Sequence, residues 1–171
     1  GANAAAAASM AAGDAFSVTV TAKNSLGATT PNYGQESTTE TVTLTPTVVA
    51  PAGLNNGVVL SAIGFDGFVN GVDTGTDFYW NEVGVMKLTP SVGDGDYLGG
   101  GDVSGTVTGN VGRFFPDHFS TNIDTSGSFN NACVTFTYWR ESFAYISDTK
   151  ITISAQSLQY IITTNYKGSF D

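Results

Sequence analysis

The sequence predicts an all-β protein: an immunoglobulin-like β-sandwich, with a jelly roll as the alternative, followed by a partial second repeat. Threonine, valine, serine and glycine are abundant, whereas the periodic Glu, Lys, Leu and Ala of surface helices are not. Short apolar runs are separated by Gly, Pro and Asn at spacings of about 8–12 residues, which is typical of a sandwich. The third observation is an internal repeat, which indicates like units in tandem.

The internal repeat joins two segments at one fixed spacing. Ile151-Thr-Ile-Ser-Ala155 matches Val18-Thr-Val-Thr-Ala22, and Asn165-Tyr166 matches Asn32-Tyr33. Both matches share the offset 151 − 18 = 166 − 33 = 133. We therefore expect one module and the opening of a second. Opening strands cannot close a core alone, so we expect a piece of a longer protein, or one that needs strands from a neighbour.

Four regions follow from this pattern. Residues 1–13 form an alanine-rich lead-in and 14–119 the β-sandwich module. Residues 120–131 are polar with few apolar anchors and predict a linker, and 132–171 predict the opening strands of the second, incomplete module. No apolar run reaches the roughly 20 residues of a membrane span, so no transmembrane segment is predicted in this chain.

The first half of the module alternates strands and turns. Residues 16–22 alternate with a period of two and predict a strand, and residues 24–27 supply the turn after it. A second strand begins at Val42, and Pro46 is expected to close it. Residues 58–63 form a compact apolar run, which suits a central strand.

The second half contains two loops. Residues 65–77 are rich in Asp, Asn and Gly and predict a long loop. Residues 78–80 and 83–88 then predict a pair of strands. Residues 94–102 are the most glycine-dense loop, and alternation resumes over 103–108.

Charge and composition exclude some partners. The chain has 15 acidic residues against 6 Lys and Arg, for a net charge of −9. Nucleic-acid binding needs clustered cations, so no nucleic-acid partner is predicted. The low charged fraction of 12% favours an extracellular location. Cys133 is the only cysteine, so no disulfide can form within the chain.

Catalysis is not predicted. His118 is the only histidine, so neither a triad with a histidine base nor a multi-histidine zinc site can form. We interpret His118 as a packed residue of the segment 113–119. The carboxylates of Asp77 and Glu82 could be read as a glycosidase pair, but an acidic chain supplies such pairs by chance.

Acidic loops offer the one candidate for a cofactor, a calcium ion. Asp94, Asp96 and Asp102 lie in one glycine-rich loop, and hard carboxylate oxygens are what Ca²⁺ prefers. The spacing matches no EF-hand loop, and Asp and Gly are also ordinary turn residues. Solvated turns are therefore the favoured interpretation, and otherwise no cofactor is expected.

Aromatic and aliphatic side chains suggest two kinds of contact. Tyr97 and Trp139 are the candidates for stacking on a glycan, although packing in the core is the commoner use of such residues. A separate set in the tail would pair with other copies of the chain or with neighbouring β modules by strand addition. That set is Ile151, Ile153, Ile161 and Tyr166.

Several blocks together resemble one family. They are Phe16-Ser-Val-Thr-Val-Thr-Ala-Lys-Asn-Ser-Leu-Gly27, Trp80-Asn-Glu-Val-Gly84, Gly112-Arg-Phe-Phe-Pro-Asp-His-Phe119 and Phe136-Thr-Tyr138. The chain resembles the MshQ-type proteins associated with mannose-sensitive haemagglutinin pili of Gram-negative bacteria. It departs from them at Trp139-Arg-Glu-Ser142, which stands where those proteins have a small turn that contains glycine.

The resemblance implies a large secreted or surface protein of β domains, linked to pilus biogenesis or adhesion, with no catalytic motif to carry over. The predicted function is thus a non-catalytic structural or adhesive module that assembles into filaments through β-strand contacts. The alternative is a carbohydrate-binding, lectin-like domain that depends on calcium.

Overall fold

The computed structural model describes residues 8–142 and 144–167, in which every regular element is a β-strand. In chain order the strands are β1 (Met10–Ala11), β2 (Phe16–Thr21), β3 (Val42–Ala50), β4 (Val59–Leu60), β5 (Val72–Trp80), β6 (Gly84–Val92), β7 (Val111–Phe115), β8 (His118–Thr125), β9 (Ser128–Asn130), β10 (Ala144–Ser147) and β11 (Lys150–Gln156). The all-β prediction is confirmed. No helix in the described ranges is long and apolar enough to cross a membrane.

Two sheets form a sandwich, as predicted. One sheet has the order β1-β7-β6-β3 and the other the order β2-β5-β4. β1 runs parallel to β7, and the other neighbours are antiparallel. Two smaller sheets follow, in which β8 pairs with β11 and β9 pairs with β10.

The core lies between the two large sheets. Its buried side chains come from both of them: Leu44, Phe78, Trp80, Met86, Leu88 and Phe114. Val18 and Val20 of β2 pack against this cluster, as their alternation predicts. Trp80 is fully buried, and its Nε1–H donates to the Asn56 carbonyl oxygen at 2.9 Å. The indole therefore keeps its hydrogen bond inside the core.

Two predictions about individual strands are wrong, one on where a strand ends and one on its length and place in the sheet. β3 continues through Pro46 to Ala50, because β3 is the edge strand of its sheet and proline is tolerated there. The apolar run 58–63 forms only the two-residue strand β4, at a sheet edge rather than at its centre. Its neighbours Val58 and Ile63 are 63% and 72% exposed.

The loop predicted over 65–77 is also too long, because β5 already begins at Val72. The carboxylate of Asp77 accepts the backbone N–H groups of Ala62 and Ile63, at 2.7 and 2.6 Å, and that of Gly64. These bonds, the one from Ile63 first, lower the pKa of Asp77. Asp77 thus lies in a strand and anchors a neighbouring loop through its carboxylate. The abundance of turn-forming residues over 65–77 therefore predicts a loop for a residue that belongs to β5.

Residues 120–131, predicted as a linker, are mostly strand. β8 extends to Thr125 and pairs with β11, and β9 follows it. One face of β8 carries Phe119 and Ile123, and the other carries polar side chains such as Asn122. Because of this polar face, the composition of the segment resembles that of a linker and does not predict the strand.

The repeat recurs in the backbone hydrogen bonds. β2 leads into hairpin 1 (residues 22–33), and β11 leads into hairpin 2 (residues 155–166). Four backbone bonds recur at the 133-residue offset. In hairpin 1 they run from Asn24 N to Ala28 O, Gly27 N to Asn24 O, Thr30 N to Ala22 O and Tyr33 N to Thr30 O. In hairpin 2 the equivalent bonds, in the same order, run from Ser157 N to Ile161 O, Tyr160 N to Ser157 O, Thr163 N to Ala155 O and Tyr166 N to Thr163 O. The left-handed residue recurs too, with φ of 81° at Gly27 and 62° at Tyr160. The chain therefore contains a genuine partial second repeat.

Candidate functional site

Hairpin 2 lies against the body of the first sandwich. Leu158 N donates to the Ala12 carbonyl oxygen at 2.9 Å, and Gln159 Nε2 donates to the Gly13 carbonyl oxygen at 3.0 Å. Gly13 has a φ of 91°, and a Cβ there would collide with Gln159. Only glycine suits that position. We call hairpin 2, with the residues of the sandwich that it touches, the joint.

Glu82 is the centre of the joint. It follows β5 and is only 5% exposed. One carboxylate oxygen accepts Thr164 N at 3.0 Å and Thr164 Oγ1 at 2.6 Å, and the other accepts Asn165 N at 3.0 Å. A buried carboxylate is tolerated only with such partners, so its position and that of hairpin 2 depend on each other.

Asn165 makes the second connection of the joint. It is 1% exposed, its Nδ2 donates to the Asn55 carbonyl oxygen at 2.7 Å, and its Oδ1 accepts Asn55 N at 3.1 Å. Ser157 and Thr163 of the same hairpin are also buried, and their hydroxyl oxygens are hydrogen-bonded. The joint is therefore a buried polar contact with paired groups, which favours one geometry over others.

Asn165 and Asn32 occupy equivalent positions of the repeat, yet we expect a large loss of stability on alanine substitution only at Asn165. Asn165→Ala should lower the free energy of unfolding by about 2–3 kcal/mol, because it leaves the N–H and C=O of Asn55 unpaired. Asn32 is exposed, so Asn32→Ala should change it by less than about 0.5 kcal/mol. Urea unfolding of both variants checks this, and equal losses would contradict the assignment of the joint.

Sequence reasoning missed the joint, since Glu82 was considered only as half of a catalytic pair. Asp77 and Glu82 in fact bind different backbone segments, residues 62–64 and hairpin 2. The repeated Asn165-Tyr166 was the available signal, because it marks hairpin 2 as an element with a fixed environment.

The carboxylates of the predicted calcium loop accept hydrogen bonds mainly from groups of the same loop. Asp94 Oδ1 accepts Asp96 N at 2.9 Å, Asp96 Oδ1 accepts Gly101 N at 2.7 Å, and Asp102 Oδ2 accepts Ser104 Oγ at 3.4 Å. In the described part of the chain, no group of three or more His, Cys, Asp or Glu side chains is arranged to hold a metal ion.

The predicted glycan residues lie in different surroundings. Trp139 is 92% exposed, whereas Tyr97 stacks on Tyr33 with ring centroids 5.6 Å apart. Tyr97 also donates its hydroxyl to Glu36 Oε1 at 2.8 Å. The Tyr33–Tyr97 pair helps to line an open groove of about 950 Å³, which is also lined by β2, by residues 103–106 and by the inner face of β3.

The tyrosine pair should titrate late. Burial, followed by the charges of Glu40 and Glu36, raises the pKa of Tyr33 to about 12, and the hydrogen bond to Glu36 raises the pKa of Tyr97. An unfolded tyrosine titrates near 10, so Tyr33 contributes stability below pH 10 that is lost as the pH rises toward 12. Tyr33→Phe should flatten that loss and remove one late tyrosinate from the absorbance titration. An unchanged titration curve would refute the assignment.

The predicted assembly residues fall largely on one surface. Ile151 and Ile153 of β11 share a face with Phe119 and Ile123 of β8, and this apolar face is solvent-exposed. Tyr166 contacts the Phe119 ring with centroids 5.5 Å apart. Ile161, in hairpin 2, is 51% exposed.

His118 lies on the opposite face of β8. Its Nδ1 is 2.8 Å from Asp117 Oδ2, and its Nε2 is 3.0 Å from Gln156 Oε1. Its ring meets that of Tyr160 edge-on at 5.0 Å. The histidine thus connects β8 to β11 and to hairpin 2.

Comparison with known families agrees with a chain of repeated β domains. Residues 82–171 match the family described as DUF6701, third domain, and residues 1–77 match DUF6701, second domain. The chain belongs to the DUF6701 family. No curated protein sequence and no solved structure matches it.

The two DUF6701 matches meet next to the joint. Glu82 is the first residue of the third-domain match, and Asn55 lies in the second-domain match. The sheet β1-β7-β6-β3 combines strands from both matches. In this DUF6701 chain the two matched domains therefore share one core.

Proposed function

We propose that this DUF6701 chain is a non-catalytic structural or adhesive module of a bacterial cell-surface or pilus-associated protein, in which β units are joined in tandem. The resemblance to MshQ-type proteins supports the extracellular setting. The repeat and the buried joint support the tandem arrangement, because hydrogen-bonded contacts between successive units resist bending and pulling.

The exposed apolar face of β8 and β11 carries the proposal of assembly. Ile151 and Ile153 correspond to Val18 and Val20, which pack against a second sheet in the first repeat. Ile151 and Ile153 are instead 56% and 66% exposed. Contiguous apolar surface of this kind marks an interaction site, and exposed strand edges beside it can pair with another chain. Other copies of the chain, or neighbouring β modules, are the proposed partners.

Assembly is tested by two substitutions at adjacent positions of β11. Ile153→Lys places a charge on the apolar face and should abolish concentration-dependent association, measured by light scattering and negative-stain microscopy. Thr152→Lys is the matched control, since its side chain lies on the polar face near Asp124. Filaments or oligomers that survive Ile153→Lys, or a wild-type chain that stays monomeric, would contradict assembly through this face.

One observation favours the alternative, a carbohydrate-binding domain. The Tyr33–Tyr97 pair lines a groove, and stacked aromatic rings beside acidic and hydroxyl groups suit sugar binding. Thermal unfolding with a panel of oligosaccharides, with and without Ca²⁺, tests it, because a ligand that binds only the folded chain raises the midpoint. Tyr97→Ala should then remove the shift.

A further inference from the structure

We infer that the unpaired edge of β2, with hairpin 1, is the receiving surface for another β-sandwich module of the same kind. A strand that follows that module in sequence, as β8 follows β7 here, would run antiparallel to β2 along the groove. The partner's identity rests on the proposed tandem arrangement, whereas the geometry of the surface does not.

The edge of β2 beside the groove is unpaired in the described part of the chain. β2 pairs with β5 on one side only, and it is the edge strand of its sheet. Ala22 N bonds to Gly71 O, and Ala22 O accepts Thr30 N, so both groups of Ala22 point toward the β5 side. Backbone groups alternate along a strand, so those of Thr19 and Thr21 point toward the free edge.

In the second repeat, the matching edge is occupied. Ala155, which corresponds to Ala22, accepts Thr163 N, just as Ala22 accepts Thr30 N. The next residue, Gln156, points the other way and accepts the N–H of Asp117, the residue before β8. The edge of β11 that pairs with β8 is therefore the edge that is free in β2. The offset places Thr19 and Thr21 where Thr152 and Ser154 meet Asn122 and Ser120.

The groove suits a strand of defined chemistry. Val18, Val20 and Leu44 line it, so the incoming strand should carry apolar side chains at alternate positions. β8 has this pattern, with Phe119 and Ile123 on its apolar face. A strand in the register of β8 would bring its counterpart of Phe119 beside Ala22 and Tyr33, as Phe119 lies beside Ala155 and Tyr166.

Hairpin 1 supplies the second part of the surface. Leu26 at its tip is 91% exposed, and Asn32 is exposed where Asn165 is buried. Ser25 and Asn32 keep the backbone N–H groups that Leu158 and Asn165 use in the joint. Pro31 replaces Thr164 and has no N–H, so a carboxylate equivalent to Glu82 would receive fewer bonds here. Strand pairing along β2 therefore supplies a larger share of the hydrogen bonds in this contact than strand pairing supplies in the joint.

A chimera of the full chain tests the inference. Residues 150–166 are replaced by the sequence of residues 17–33, which is equally long, so that β2 and hairpin 1 take the place of β11 and hairpin 2. Hydrogen exchange should be at least ~100-fold slower at the grafted Thr19 and Thr21 amides than at the original ones in the same chain. Thr21→Pro within the graft removes one of the two donors and should abolish the protection.

Three results would overturn the inference. The first is a folded chimera in which the grafted Thr19 and Thr21 amides exchange as fast as the original ones. The second is an unmodified chain in which the Thr19 and Thr21 amides exchange as slowly as those of Val18 and Val20, because the edge is then not free. If the chimera does not fold, a peptide of residues 117–125 is added at saturation to the unmodified chain. The third overturning result is that this peptide does not slow exchange at the Thr19 and Thr21 amides, whereas slower exchange there supports the inference. None of these results depends on self-association through Ile153.

Discussion

Glu82→Ala is expected to lower the free energy of unfolding by about 3–5 kcal/mol, one of the two largest effects that we expect for a single substitution in this chain. The carboxylate accepts three hydrogen bonds from Thr164 and Asn165, and its removal leaves two backbone N–H groups and a hydroxyl of the joint without their acceptor. Urea unfolding followed by tryptophan fluorescence measures the loss. Hydrogen exchange should show hairpin 2 opening before the sandwich unfolds.

Glu82→Gln is the matched control for the charge. The amide keeps an oxygen for Thr164 but turns a donor toward Asn165 N, so a smaller loss of about 1–2 kcal/mol is expected. If Glu82→Ala and Glu82→Gln both leave the exchange rates of hairpin 2 unchanged, the joint is not held by this carboxylate. That outcome would also remove the main structural support for rigid tandem units.

Trp80→Ala should lower the free energy of unfolding by about 3–5 kcal/mol, because it empties the centre of the core. The indole is fully buried, meets the Phe114 ring edge-on at a centroid distance of 5.2 Å, and donates to Asn56 O. Truncation therefore removes apolar burial and leaves the Asn56 carbonyl without its donor. Denaturant unfolding monitored by far-ultraviolet circular dichroism measures the effect.

The second tryptophan provides the comparison for the first. Trp139 is 92% exposed, so Trp139→Ala should change the free energy of unfolding by less than about 0.5 kcal/mol. A loss comparable with that of Trp80→Ala would mean that Trp139 is buried in solution, for example in an assembly. The dependence of that loss on protein concentration would separate assembly from folding.

Periodicity located most of the strands but not their ends. The alternation over residues 16–22 marks β2, since each side chain on one face must be apolar to meet the core. The same reasoning failed at residues 58–63, where Ile63 leaves the ladder to bond with Asp77, 14 residues away. It also failed at β8, whose polar face resembles a linker when only composition is considered.

The sequence by itself determined the all-β class, the alternating faces of β2 and β11, and the offset that relates hairpin 1 to hairpin 2. These depend on neighbouring residues and on identity between segments, both of which can be read along the chain. Only the tertiary structure decided that Glu82 binds Thr164 and Asn165, and that one edge of β2 is free. Hydrogen-bond partners 83 residues apart, such as Glu82 and Asn165, are chosen by how the sheets pack, and no local pattern encodes that choice.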